Sequence, residues 1–480
     1  MHLTKGLYPF WDDLMTDHRF TDATLSVNRP IKVGTVFKAD KPWEGNNSDF
    51  FSIVKDDELY RMYYIAWDFP ATHPLYLCYA ESKDGINWEK PALGIHEFQG
   101  SKENNIILAT GMGGFGMKDT NPACPPEERY KLFVCENRAA PDAGYTQNDL
   151  IVHTSSDGIH FREHHICIVP EHYVNMYDSL NTIHWDRHTQ QYVCYFRCTH
   201  PKPTATDPRY DESFARAIRV MTSQDCVHWS EGAPLDYLGG MDYQTYTNCV
   251  SAYLYDDRYY IGFPTRYVER VAWDESFEQL TAKEYRKQRM VHSPRYGLTV
   301  TDCVFMSSRD KYHWFRFDEA CLTPGPEDGY NWEYGDCYPA VGLIETPERF
   351  PGNGPELSLL CEAHHWTDIP VELVRYVFRK DGFASYKATF KPQTLRTKPF
   401  TFEGNTLKLN FRTSARGYIQ LKFLDEYNNP IAGFVSCEHF GDTTERIIRF
   451  DKPLSEINHR QVKLEFIMSD AELFSFRLED

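Results

Sequence analysis

The sequence predicts an all-β chain: a five-bladed β-propeller followed by a C-terminal β-sandwich. Three observations predict it. A short pattern recurs five times at near-regular spacing, alternating strands with turn signals surround each copy, and the pattern changes after Tyr386. At 480 residues the chain is too long for one ordinary domain and long enough for two.

Ser82-Lys83-Asp84-Gly85-Ile86-Asn87-Trp88 returns as Ser155-Ser156-Asp157-Gly158-Ile159-His160-Phe161. It returns again as Ser223-Gln224-Asp225-Cys226-Val227-His228-Trp229 and Ser308-Arg309-Asp310-Lys311-Tyr312-His313-Trp314, and a worn fifth copy is Arg379-Lys380-Asp381-Gly382-Phe383-Ala384-Ser385. The aspartates stand 73, 68, 85 and 71 residues apart, a spacing that isolated Asp-Gly turns would not produce. An alternating apolar run precedes the turn, as in Leu75-Tyr76-Leu77-Cys78-Tyr79-Ala80, and the aromatic after it begins the next strand. Gly accepts positive φ without a Cβ clash, so Asp-Gly suits a tight hairpin. Upstream lie a Tyr- and Phe-rich strand, such as Gln191-Tyr192-Val193-Cys194-Tyr195-Phe196, and a shorter one, such as Asn181-Thr182-Ile183-His184-Trp185. Each unit therefore reads as four antiparallel strands, one propeller blade. A closed ring of blades hides most sheet edges.

From Thr401 to Leu478 short alternating strands, among them Leu407–Phe411, Ile419–Phe423 and Val462–Phe466, are separated by turns, as in a sandwich of about 90–100 residues. The boundaries read from these patterns are 1–40 for an N-terminal arm that helps close the ring, 41–386 for the propeller and 387–480 for the sandwich. Glu275–Lys287 is the one helix-like insertion.

The formal net charge is -18, and no basic run is present, which argues against nucleic acid and against an anionic membrane surface as partners. A neutral small carbohydrate fits better. No basic-then-apolar leader and no apolar stretch of membrane-spanning length is seen. The 13 cysteines, odd in number and scattered through strand-like runs, read as reduced core thiols of a cytoplasmic protein. Aromatics at 15% suit both a β-rich core and sugar stacking, and the core explains most of them.

The inner strands of a propeller point side chains from distant blades at one axis, so acids at strand ends are candidate site residues. Blade one offers Glu44 and Asp49, blade two Asp119 and Glu136, blade three Asp178, and blade five Glu333, Asp336 and Glu362, the last followed by His364, His365 and Trp366. Arg197 and Arg266 end second strands, where they would orient carboxylates or bind an anionic group; Trp67, Asn181 and Asn248 would complete a sugar subsite. His160-Phe161-Arg162-Glu163-His164 spells an inverted zincin motif, but it follows a hairpin turn and should be a strand, where the histidines share no helical face. Gly111-Met112-Gly113-Gly114-Phe115-Gly116 lacks the setting of a phosphate loop. No cofactor is implied; a structural calcium ion and the oligomeric state are not readable from the sequence.

The chain resembles the propeller-plus-sandwich glycosidases of the invertase, levanase and arabinanase type, and more closely a bacterial group related to them. The segments that carry the resemblance are Pro42-Trp43-Glu44-Gly45, Asp119-Thr120-Asn121-Pro122, Asp178-Ser179-Leu180-Asn181, Tyr246-Thr247-Asn248, Gly262–Arg266, Met306–Asp310, Asn331-Trp332, Tyr334-Gly335-Asp336 and Glu356-Leu357-Ser358. The invertase-type Asn-Asp-Pro and Glu-Cys-Pro motifs are absent. The resemblance implies cleavage of a glycosidic bond in a furanoside or a small oligosaccharide, with Asp49 where the related enzymes place their base or nucleophile. The full expectation is Asp49 as base or nucleophile, Glu362 as general acid, Asp119 and Asp178 on sugar hydroxyls, and Glu44, Glu136 and Asp336 as further acids. A glycoside phosphorylase and a non-catalytic sugar-binding propeller are the alternatives.

Overall fold

The computed structural model describes residues 1–109, 112–139, 146–173, 175–201, 214–238, 240–241 and 243–480. The backbone divides into two compact units, one of residues 31–377 and one of residues 1–30 with 378–480.

The larger unit is a five-bladed propeller. Blade one is Asp49–Asp56, Leu59–Ala66, Tyr76–Ser82 and Ile106–Leu108. Blade two is Met112–Lys118, Tyr130–Ala139, Thr146–Ser155 and Arg162–Ile166. Blade three is Thr182–Asp186, Gln191–Pro201, Phe214–Ser223 and Ala233–Pro234. Blade four is Ser251–Ala252, Tyr260–Gly262, Thr299–Ser308 and Trp314–Leu322, with Thr265–Glu269 extending its second strand along Thr299–Ser308. In blade five, Ile344–Thr346, Glu356–Ala363 and Glu372–Phe378 are joined by Ile31–Lys38 as the outer strand. Strand Arg162–Ile166 contains His164, so the zincin spelling lies on extended backbone.

The recurring turn joins the third and fourth strands of blades one to four, and its chemistry is the same each time. Asp84 Oδ1 accepts the backbone N–H groups of Ile86 at 2.9 Å and Asn87 at 2.7 Å. Asp157, Asp225 and Asp310 each accept the equivalent pair at 2.8–3.0 Å. These donors hold the Asp84 carboxyl down at about 2 despite its partial burial. The residue after the aspartate has left-handed φ whether it is Gly158 (76°), Cys226 (63°) or Lys311 (80°). Glycine is thus not obligatory, because the aspartate supplies enough hydrogen bonding to hold a residue with a Cβ there. The fifth copy leads instead into Ala384–Ala388, a strand of the smaller unit.

Blades meet through apolar side chains. Val54, Tyr63 and Leu77 of blade one pack with Leu132 and Val134 of blade two. Phe51, Met62 and Tyr64 of blade one share a core with Leu360, Val371 and Leu373 of blade five. Backbone also crosses this junction: Val341 N–H donates to Phe51 O and Ile53 N–H to Val341 O, both at 2.8 Å. The insertion in blade four is helical in pieces, Glu275–Gln279 and Lys283–Met290, then Pro294–Leu298. Leu280 turns extended after the first piece, so the single helix expected over Glu275–Lys287 is broken.

The smaller unit is a β-sandwich built on two long strands, Thr406–Leu424 and Lys463–Glu479, paired antiparallel with register shifts that bend them. Alternate residues, Leu407, Leu409 and Phe411 from one and Phe466, Phe476 and Leu478 from the other, fill one core. Gly6–Pro9 and Thr24–Val27 pair into the same sheet. The stretch 1–40, read above as one arm, is therefore shared: residues up to 30 belong to the sandwich unit, while Ile31–Lys38 completes blade five. The start of the sandwich moves likewise from 387 to 378, because the strand Ala384–Ala388 pairs with Thr24–Val27. All thirteen cysteines are free, and twelve are buried. Among the described residues no helix is long and apolar enough to cross a membrane.

Candidate active site

Asp49 opens the inner strand of blade one. The pairing with Leu59–Ala66 slips between Asp49 and Ser52, and Phe50 takes φ 55° in that bulge. This turn aims the Phe50 N–H at Glu362 Oε1, 3.1 Å away on the second strand of blade five. Left-handed non-glycine residues gather around this junction: Tyr177, Ser179, Cys337, His364 and Trp366 join Phe50. Such backbone persists only where surrounding structure fixes it, and it concentrates at functional sites.

Two carboxyls are thereby buried side by side. Burial, helped by the charge of Asp178 and opposed by His365, pushes Asp49 up to about 6. Burial, then the charge of Asp49, pushes Glu362 well above the carboxylate range, with the Phe50 N–H working against it. Asp49 Oδ1 and Glu362 Oε2 are buried without a hydrogen-bond partner. Asp336 is a third such group: its Oδ2 accepts the Glu333 N–H at 2.9 Å, its Oδ1 has no partner, and burial raises it to about 6. Glu362 and Asp336 also line a cavity of about 110 Å³ with His364, Glu372 and Tyr376, room for a few waters at about 30 Å³ each.

His365 completes the cluster. Its Nδ1 lies 2.6 Å from the Tyr334 carbonyl oxygen, so Nδ1 carries the proton. Its Nε2, without a partner, faces Asp49 Oδ2 at 3.8 Å. Gly335 makes room for the ring: a Cβ there would sit 2.1 Å from His365 Nδ1, and φ at Gly335 is 96°. Phe50, Tyr246 and Tyr338 supply aromatic surface beside the acids, with Tyr338 parallel to Phe50 at 6.5 Å and 5.5 Å from Tyr246.

Asp178 and Arg197 form an ion pair at the head of blade three, where Arg197 also donates to the Asp178 carbonyl at 3.2 Å. The Asp178 side chain is 35% exposed, against 7% for Asp49, so Asp178 is the open acid of the group. The Arg197 guanidinium lies 5.2 Å from the Tyr246 ring centroid, which brings blades three and four to the same place.

The structure thus brings together Asp49, Asp178, Glu362, Asp336 and Arg197. It does not bring in Asp119. That residue follows the end of Met112–Lys118, where Lys131 Nζ (2.6 Å) and Tyr192 OH (2.8 Å) both bond its Oδ2. The same strand end is tied by Lys118 to Asp56, which closes the strand that Asp49 opens, so Asp119 sits about 20 Å of strand away from the cluster. Glu44 is fully buried in blade one on Tyr64 OH, Lys90 Nζ and the Lys41 N–H. Arg266 is held bidentate by Asp302 at 2.9 and 2.6 Å, inside the sheet of blade four. Asn181 spends its amide on the carbonyls of Tyr177 and Ser179, both 3.0 Å away. Asn248 bonds Leu180 O, Tyr195 O, Thr182 Oγ1 and the Val250 N–H, which leaves nothing for a sugar. Glu136 stands half-buried opposite Asp149 on blade two. Trp67 lies edge-on to Phe69, which stacks at 4.9 Å on Trp366, at the margin of the cluster.

His365, Tyr246 and Tyr338 belong to the site and had no role in the sequence reading. The run His364-His365-Trp366 was a signal for the first and the segment Tyr246-Thr247-Asn248 for the second; nothing distinguished Tyr338 among 31 tyrosines.

No family model matches the chain, and no curated protein matches it. Solved structures do. An N-acetylgalactosamine deacetylase from F. plautii, in complex with blood group B trisaccharide, shares 13% identity over 74% of this chain and 96% of its own, with a TM-score of 0.48. The Bombyx mori GH32 β-fructofuranosidase BmSUC1 shares 10% over 94% of this chain and 95% of its own, TM-score 0.41. The endo-arabinase from Bacteroides thetaiotaomicron shares 12% over 74% and 99%, TM-score 0.38.

Proposed function

We propose that the chain is a glycoside hydrolase that works with Asp49 and Glu362. The observation that carries this reading is the pair itself: two buried carboxyls on neighbouring blades, joined through the Phe50 N–H, both raised by burial, with His365 acting on Asp49 and the Asp49 charge acting on Glu362. Burial and the charge of Asp49 favour the protonated form of Glu362, while His365 favours the ionised form of Asp49. That is the division a glycosidase needs, one acid for the departing oxygen and one base or nucleophile for the anomeric carbon or its water. Glu362 Oε2 and Asp49 Oδ1 are the atoms left without partners, and these are the atoms that would do the work.

Asp178, the half-buried and most open acid, would take sugar hydroxyls, and Phe50, Tyr246 and Tyr338 would pack against the ring. Arg197 and Arg266, the arginines that the phosphorylase reading would use, are both already paired with aspartates.

The test is turnover on a panel of nitrophenyl glycosides and oligosaccharides by wild type, Asp49→Asn and Glu362→Gln. Loss of at least a thousandfold with Asp49→Asn is expected on every substrate that turns over. Glu362→Gln should lose most on substrates with a poor leaving group and least on nitrophenyl glycosides, which need little acid help. Activity untouched by both changes would remove the site.

A further inference from the structure

The propeller meets its buried guanidiniums with anionic or carbonyl oxygens almost everywhere. Arg61 has Asp56, Arg375 has Glu356, Arg197 has Asp178, and Arg289 has the carbonyls of Phe69 and Trp366. Two arginines beside the candidate site depart from this. Arg216 donates to a neutral amide, Gln244 Oε1, at 2.6 Å, and its Nε is buried without a partner. Among the described residues Arg295 reaches only the phenol oxygens of Tyr267 and Tyr296, each at 3.4 Å. No carboxylate among the described residues pairs with either, in a chain whose net charge is -18.

The two share one ring. The Arg216 guanidinium carbon stands 3.8 Å from the centroid of Tyr267, whose hydroxyl Arg295 touches. Stacking fixes the plane of a guanidinium and directs its N–H groups at in-plane acceptors, of which Arg216 has one, Gln244 Oε1. Both arginines are half-buried, so part of each side chain is open to solvent, although Arg216 Nε is not. Tyr267 is 5.8 Å from Tyr246, and Tyr246 is 6.4 Å from Phe50, the neighbour of Asp49. Two ring-to-ring steps therefore lead from Phe50, beside the reacting carboxyls, to the ring that the two cations share, a reach longer than one sugar ring. Arg216 also lines a cavity of about 250 Å³ with Tyr243 and Thr245.

We propose that Arg216 and Arg295 bind a carboxylate carried by the substrate, which makes the substrate a uronic-acid-containing glycoside. The inference rests on the glycosidase reading for the position of the sugar, and it adds the chemical class. A planar carboxylate matches the in-plane donors of a stacked guanidinium better than a hydroxyl does, and removing the acceptor leaves two cations with neutral neighbours.

The test is binding, measured by calorimetry on the Asp49→Asn protein so that turnover does not intervene. The probes are oligosaccharides from pectin and glucuronoxylan, and the same oligosaccharides after chemical reduction of their carboxylates to alcohols. Expected is binding of an acidic set that falls at least tenfold on carboxyl reduction. It should fall comparably in Arg216→Gln and Arg295→Gln, with Arg216→Lys and Arg295→Lys keeping the charge and losing most of the affinity. Melting temperature checks that each variant is folded, and the lysine pair carries the test where a glutamine variant is not. Equal binding of reduced and unreduced probes, no binding of any acidic probe, or a preference that survives all four substitutions overturns the proposal. So does turnover that requires inorganic phosphate and loses that requirement in the arginine variants, since the anion would then be the attacking group. Binding that follows the carboxylate while Asp49 and Glu362 prove dispensable for any turnover sinks the glycosidase reading and leaves the carboxylate site standing.

Discussion

At the scale of the residue, the site is a store of protonation energy. Asp49 has a folded-state pKa of about 6 against an ordinary value near 3.9, so the folded protein holds this proton more tightly than the unfolded chain. The stability that the proton supplies is complete below pH about 4 and is lost as pH rises through 6. Asp49→Asn removes the titration. It should leave stability unchanged at pH 4 and raise it by about 1–3 kcal/mol at pH 8, as read by denaturant unfolding at both values. With Asp49 as the proposed base or nucleophile, kcat/KM should rise with a midpoint near pH 6 as it ionises, and Glu362→Gln should flatten the alkaline limb without moving the acid one. Asp119 predicts the reverse pattern. Asp119→Asn strips the counter-charge from buried Lys131 and should cost about 3–5 kcal/mol of stability while the KM of the folded protein stays put. The contrast shows how far single residues were legible. Acids flanking inner strands could be found in the sequence, as Asp49, Asp178 and Glu362 were. Which end of a strand faces the site could not, because a Pro- and Asn-bounded aspartate looks alike at both ends. The partners that neutralise Asp119 and Glu44 lie 12 and 46 residues away, beyond any local pattern.

At the scale of the element, the recurring turn was the most readable feature, since each copy is closed by its own atoms. Ser155, Asp157 and the N–H groups of residues 158–160 make the whole device. Asp157→Ala leaves two backbone donors without their acceptor and should lower stability by about 1–2 kcal/mol, seen as a lower unfolding midpoint with activity retained. Gly335→Ala should act on function first: its Cβ meets the His365 ring, so activity should fall with the ring displaced, and a histidine NMR shift would report it. The helical insertion was legible in place and not in shape. Its break at Leu280 follows from an extended backbone there that composition does not signal.

At the scale of the whole molecule, the count of blades was legible and the joins were not. A turn like the other four at Asp381 suggested that blade five ended as they do, yet the chain leaves there for the sandwich, and the outer strand comes from Ile31–Lys38. Pairing between Lys38 and Glu372 spans most of the sequence and has no local signature. Disrupting it by Val33→Pro and Thr35→Pro together should open blade five, giving an early unfolding step and faster proteolysis between residues 346 and 372.

That seam also sets a schedule for the nascent chain. Ile31–Lys38 leaves the ribosome some 330 residues before its partner, a wait of roughly 20–70 s at ordinary translation rates. An orphan strand held so long invites pairing with strangers. This one is poorly dressed for it, with lysines at positions 32 and 38, a glycine at 34, and Phe37 as its one deeply buried side chain. The last stitch of the ring is thus made by a ribbon that offers strangers little to pair with, at the expense of a thin grip once it is sewn.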